Sequence, residues 1–178
     1  MAEAMCYSKC EFLNKRKQGS NKELTNRKQL KILIVDDDID IATTFGEILE
    51  CRGHTVTTVN EGIKCISKCQ NNFYDVIFMD FHLTDDKIEF DETNGAEITD
   101  LLKTVCSVNS IVVAITGDNS LLAINKFKDV GMYGALIKPF CIETINNLMN
   151  LLESRKISNS KNLKPSGDLK LNTNLIIF

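Results

Sequence analysis

KILIVDDD, residues 31–38, decides the fold: a lysine and four consecutive apolar residues run straight into three aspartates. A short continuous apolar run of this kind reads as a strand buried on both faces, the habit of parallel sheets covered by helices. Working outward, the same pattern recurs. Residues 39–51 place Ile41, Phe45, Ile48 and Leu49 at helical spacing, and Gly53 closes that helix. HTVTTV (54–59) reads as a second strand. Asn60 is then expected to cap a helix through Cys69, with Ile63 and Ile66 facing inward. DVIFM (75–79) is a third buried run and again ends in an aspartate, Asp80. A long acidic loop leads to a helix expected from about Asn94 to Val105. SIVVAIT (110–116) is the fourth strand, Ser120 to Val130 a helix with Gly131 as its C-cap, GALI (134–137) the fifth strand, and Phe140 to about Arg155 the last helix. Five strands alternating with five helices imply right-handed crossovers and a parallel sheet with helices on both faces, an α/β fold.

In such sheets chemistry collects beyond the carboxyl ends of the strands. Here those ends carry Asp36, Asp37 and Asp38 after the first strand, Asp80 after the third, Thr116 after the fourth and Lys138 after the fifth. Each aspartate taken singly is a common turn or cap residue. Together they are not, because carboxylates crowded into one crevice repel each other and raise a pKa unless a cation joins them. Mg²⁺ suits oxygen ligands, uses one or two carboxylates and keeps waters that a phosphoryl oxygen can replace. Lys138 adds an ammonium and Thr116 a hydroxyl donor. The set describes a carboxylate, Asp80, that accepts a phosphoryl group while the metal and Lys138 neutralise charge.

Charge supports a compact acidic body. The 178 residues sum to a formal −3, but residues 1–28 carry +4, residues 29–143 carry −10 and residues 144–178 carry +3. An acidic body disfavours direct DNA binding, since phosphates repel it. No run approaches the length of a membrane span, and Met1 to Gly19 lacks the apolar centre of a signal peptide, so a cytoplasmic protein is expected. Seven cysteines without a CxxC pair fit a reducing compartment. Cys65 and Cys69, four apart on a helix, could be imagined as half a metal site, but buried or free thiols are the plainer reading.

ILIVDDD (32–38), NEGIKCI (60–66), YDVIFMD (74–80), NGAEI (94–98), IVVAITGD (111–118) and GALIKPF (134–140) together resemble the receiver domain of two-component response regulators, in order and spacing from residue 31 to about 153. The resemblance implies a flavodoxin-like, doubly wound sheet of five parallel strands in the order 2-1-3-4-5. It implies phosphorylation at Asp80 by a histidine kinase or a histidine-containing phosphotransfer protein. It further implies Mg²⁺ held by Asp36, Asp37, Asp80 and the backbone carbonyl of His82, a switch hydroxyl at Thr116, and Lys138 as the phosphoryl-pairing lysine before a cis peptide bond to Pro139. Gly117 would be small enough to admit a phosphodonor.

Three departures stand out. Leu83-Thr84 leads through DDKIEFDET to Asn94-Gly95, an acidic insertion beside the site. Ala135 occupies the switch position where many receivers carry Tyr or Phe, so switching would run through Thr116 and backbone shifts. His82 and Asp118 fill variable positions that tune phosphoryl lifetime. The domain expectation is a basic leader at 1–28, a receiver at 29–155, and a tail at 156–178 with no effector domain, in which SNSKNLKPSGD reads as a linker and LIIF (175–178) as a short sticky end. A single-domain regulator working by protein contact follows, with a homodimer possible. Two alternatives remain: a degenerate receiver that binds partners without phosphorylation, and a haloacid-dehalogenase-like phosphatase using Asp36-x-Asp38.

Overall fold

The computed structural model describes residues 29–83, 94–158, 169–172 and 174–178. The basic leader, the acidic insertion at 85–93 and residues 159–168 of the expected linker lie outside them. The elements are β1 (Lys31–Val35), α1 (Ile39–Cys51), β2 (Thr55–Val59), α2 (Gly62–Asn71), β3 (Val76–Asp80), α3 (Gly95–Thr104), β4 (Ile111–Thr116), α4 (Leu121–Asp129), β5 (Gly134–Ile137), α5 (Ile142–Ser158), β6 (Leu169–Asn172) and β7 (Leu175–Ile177).

The sheet order is β2-β1-β3-β4-β5-β7-β6, and the first five strands are parallel. The expected order 2-1-3-4-5 is therefore present. Strands β1 and β3 sit inside the sheet and are buried along nearly their whole length, while β2 at the edge is exposed or half-buried up to Val59, its one buried residue. Successive side chains point to opposite faces. Leu33, Val35, Ile77, Met79, Val112 and Ala114 pack with Cys65, Ala96, Leu102 and Phe127 of α2, α3 and α4. Ile32, Ile34, Phe78, Val113 and Ile115 pack with Phe45, Leu49, Leu148 and Leu152 of α1 and α5.

Three helix starts follow the sequence. Asp38, Asn94 and Ser120 each cap a helix through a side-chain oxygen. Gly131 takes a positive φ of 69° just after α4, as a C-terminal glycine does. The start of α2 differs from expectation. Glu61 stands at the N-cap but its side chain does not cap the helix N–H groups; its carboxylate and Asn60 Oδ1 both accept from the Lys64 ammonium. The buried stripe runs through Gly62 and Cys65, leaving Ile63 62% exposed. The cause is the Gly62 contact: a Cβ there would lie 2.7 Å from Ile98 Cδ1 of α3. That close approach fixes the helix phase and turns Ile63 outward.

The C-terminal residues also depart from expectation. α5 continues to Ser158, β7 pairs antiparallel with β5 (Gly134↔Ile177, Ala135↔Ile176, Leu136↔Leu175), and β6 pairs with β7. LIIF is thus no free sticky end, and the 156–178 tail forms two strands of the same sheet. The physical reason is that β5 would otherwise be an edge strand with unpaired backbone groups and apolar side chains; β7 covers it, with Leu175, Ile176 and Ile177 all buried. Among the described residues no helix is long and apolar enough to cross a membrane.

Candidate functional site

The register aligns the strand ends. Val35 pairs with Met79, Asp80 with Ile115 and Thr116 with Ile137, so Asp36, Asp80, Thr116 and Lys138 emerge side by side at one edge of the sheet. Lys138 Nζ donates to Asp36 Oδ2 at 2.9 Å and to Asp80 Oδ2 at 3.2 Å. Oxygens of Asp36, Asp37 and Asp80 lie within 4.8 Å of one another. Asp36 is fully buried and Asp80 is nearly so. Its other oxygen commits Asp36 further by accepting the Asp38 N–H at 3.0 Å.

One ammonium thus faces three carboxylates. Burial, then the charges of Asp36 and Asp37, push the Asp80 pKa up to about 6 against the opposing pull of Lys138. For Lys138, burial acts to lower the pKa, but its bonds to Asp36 and Asp80 and their charges outweigh that and hold it above the usual lysine range. Burial first, and then the crowding of the three carboxylates, raises Asp80. Hard oxygen donors with surplus negative charge are the donor set Mg²⁺ takes, so these residues fit the ion.

Backbone bonds hold the loops. The Lys138 N–H donates to Thr116 O at 2.7 Å and the Phe81 N–H to Ile115 O at 3.0 Å. Thr116 is buried, and its Oγ1 accepts the Asp118 N–H at 2.9 Å. Hydrogen bonds from Ser120, helped by nearby His82, keep the exposed Asp118 carboxyl below its ordinary value. His82 is exposed two residues past Asp80, its ring edge-on to Phe81 at 4.7 Å between centroids. Nothing lies within 4 Å of a Cβ placed on Gly117. The Lys138–Pro139 peptide bond is cis. Ala135 is buried in mid-β5 and is paired with Ile176 of β7.

Asp38 does not join the site. It is exposed, and its carboxylate accepts the N–H groups of Asp40 and Ile41 as the cap of α1. Two site-shaping residues escaped the sequence reading. A Cβ on Gly95 would lie 2.0 Å from the Asp80 carbonyl oxygen, so only glycine lets α3 start directly under the end of β3. The NGAEI segment contained that signal, as a cap residue followed by glycine. Asn174, from the C-terminal strands, bonds the backbone around Lys138, and no local pattern announces it.

The family model for the response regulator receiver domain matches residues 32–150. The chain belongs to this family. As a receiver it is 28% identical over 116 residues to the CAI-1 autoinducer sensor kinase/phosphatase CqsS of Vibrio cholerae, a match covering 64% of this chain and 16% of that protein. The first curated relatives are much longer, and the chain spans 16, 20 and 24% of their lengths. Among solved structures it superposes on the chemotaxis response regulator CheY4 of Vibrio cholerae with a TM-score of 0.62 and 25% identity, covering 70% of this chain and 99% of that one. The beryllofluoride-activated NtrC4 receiver domain dimer gives a TM-score of 0.61 and 26% identity, covering 70% and 97%.

Proposed function

We propose that this receiver takes a phosphoryl group onto Asp80 from a phosphohistidine on a histidine kinase or a histidine-containing phosphotransfer protein. The observation that carries the reading is a nearly buried Asp80 carboxylate with its pKa raised to about 6, bonded to Lys138 and crowded by Asp36 and Asp37. An Asp80 carboxylate oxygen attacks phosphorus as the P–N bond to the donor imidazole breaks, and the bonding pair stays on the ring nitrogen. Asp36, Asp37 and Asp80, with the carbonyl of His82, would hold Mg²⁺, which when bound supplies positive charge against the phosphoryl oxygens. Lys138 follows the charge from the carboxylate to the phosphoryl group. The Thr116 hydroxyl, which now accepts from Asp118, has its own proton to donate to a phosphoryl oxygen. The new group brings roughly two negative charges, enough to bias loops built on these strand ends. With Ala135 in place of an aromatic ring, that bias passes through Thr116 and the backbone.

The output is a protein contact rather than direct DNA binding, in keeping with the acidic body, and the free thiols among the described residues suit a reducing cytoplasm. The phosphatase alternative loses its second carboxylate, because Asp38 is committed to capping α1. A phosphorylation-independent binding role draws its support from Ala135 and the acidic insertion at 85–93. Incubation with Mg²⁺ and acetyl phosphate tests the reading: stoichiometric, acid-stable and base-labile labelling is expected, lost in Asp80→Asn. Full labelling of that variant would overturn it.

A further inference from the structure

The C-terminal strands do more than cover an edge. Asn174 immediately precedes β7, and its carbonyl accepts the Ile137 N–H at 2.8 Å. Its side-chain Nδ2 donates to Ile137 O at 3.4 Å and, more closely, to Pro139 O. A primary amide carries two donors, and here both are spent on the carbonyls either side of Lys138. The Lys138 N–H itself goes to Thr116 O. The backbone that carries the site ammonium is therefore pinned by β4 on one side and by a residue thirty-odd positions downstream on the other.

The docking looks built into β5. A Cβ on Gly134 would lie 2.5 Å from Ile176 O, so the strand keeps its one glycine where β7 passes closest. The Phe178 N–H also closes onto Tyr133 O at 3.0 Å, extending the pairing past the strand.

We propose that Asn174 is a positioning residue for the phosphoryl site, holding the Ile137–Pro139 backbone so that the Lys138 ammonium stands where it meets the group on Asp80. This rests on the reading of Asp80 given above. Lysine has a flexible stem, so where its ammonium can reach is set from its Cα, and a misplacement of about an ångström at such a site is costly. Because coupling between two states is reciprocal, a phosphoryl group engaging Lys138 in turn tightens β7 on β5.

Beryllofluoride, as a phosphoryl mimic, separates these claims. The full chain is titrated with Mg²⁺ and then with beryllofluoride, alongside Asn174→Ala, Asn174→Asp and Ile176→Ala. Asn174→Asp keeps the shape and the accepting carbonyl but sets a carboxylate against two carbonyl oxygens. Both Asn174 variants are expected to weaken beryllofluoride about tenfold, the scale of one or two lost hydrogen bonds, while Mg²⁺ affinity stays within about twofold because Lys138 is no metal ligand. Ile176→Ala, which loosens β7 but keeps the amide, is expected to lower the melting temperature more and beryllofluoride affinity less. In the wild type, beryllofluoride is expected to slow hydrogen exchange at Leu175–Phe178 beyond Mg²⁺ alone. Wild-type binding with unchanged affinity in both Asn174 variants, or with exchange at Leu175–Phe178 unaltered, overturns the role of Asn174 and leaves Asp80 standing. A wild type that binds no beryllofluoride overturns Asp80 as acceptor, and Asn174 with it.

Discussion

Two clusters of buried charge lie at opposite edges of the same sheet, and they are balanced in opposite ways. At the carboxyl edge, Lys138 pairs with Asp36 and Asp80 while Asp37 crowds the same carboxylates, so negative charge gathers there. At the amino edge, Arg52 pairs with Glu153 at 2.9 Å, and His54 Nε2 lies 3.2 Å from the same carboxylate. Asn146 of α5 accepts from Arg52 Nη1, Asn150 accepts from the same Nη2 that reaches Glu153, and His54 Nδ1 accepts the Leu30 N–H at 3.3 Å. One positive group thus answers one negative group, and polar neighbours take up further donors. The difference teaches which cluster serves what: a compensated buried pair fixes packing between α1, β2 and α5, whereas an uncompensated one is left ready for a ligand of opposite charge.

The largest way to break that contrast is Arg52→Ala. It strands the Glu153 carboxylate in the interior, and a loss of about 3–5 kcal/mol is expected in urea unfolding. Mg²⁺ affinity of the fraction that remains folded is expected to stay the same. A destabilisation under about 1 kcal/mol would show the pair to be ornamental to packing. Next comes Gly95→Ala, for which the Asp80 carbonyl has no room. A cost of about 1–3 kcal/mol is expected, and phosphodonor labelling should slow with it because Asp80 itself must shift.

These two predictions also mark what the chain's order makes visible. The acidic edge is legible because each of its residues directly follows a buried apolar run: Val35 then Asp36, Met79 then Asp80, Ile115 then Thr116, Ile137 then Lys138. The strand order follows from the same alternation once the family resemblance is added. The Arg52–Glu153 pair is invisible by comparison, since its members are 101 positions apart and neither sits in a pattern that distinguishes a buried ion pair from a surface one. Helix phase failed at Ile63 because a glycine contact with Ile98 outweighs the local spacing. The C-terminal strands were missed because four apolar residues behind a polar stretch read equally as a loose end. The need for them comes from the uncovered β5 edge, which only the folded sheet reveals.

The surplus charge should also show itself in pH. The Asp80 carboxyl has a folded pKa of about 6 against an ordinary carboxyl value of 3.8. Between those values the folded protein binds more protons than the unfolded chain, so stability falls as pH rises from about 4 to 6 and levels off above. In chelator, acidifying across that window is expected to add on the order of 2 kcal/mol from this group, and the slope should be missing in Asp80→Asn. Saturating Mg²⁺ should remove or reverse it, since a bound cation favours the ionised carboxylate. Wild type and Asp80→Asn with parallel profiles in chelator would mean that the cluster carries no surplus.

The smallest effect is the most discriminating, because it predicts a gain from removing a buried charge. Asp36→Asn takes away the stronger of the two like charges that raise Asp80. The amide oxygen can still accept the Asp38 N–H, and Lys138 keeps Asp80 as a partner. What is lost is one ionic bond to Lys138 at 2.9 Å; what is gained is relief of repulsion across the carboxylates. The metal-free protein is expected to gain about 1 kcal/mol at pH 7, with Mg²⁺ affinity falling at least about tenfold. The corresponding change at the other edge, Glu153→Gln, should have the opposite sign, because there the carboxylate is what neutralises Arg52. If both substitutions destabilise alike, Lys138 needs Asp36 as much as Arg52 needs Glu153. The two edges would then be two structural ion pairs, and Asp80's raised pKa would owe its height to burial alone.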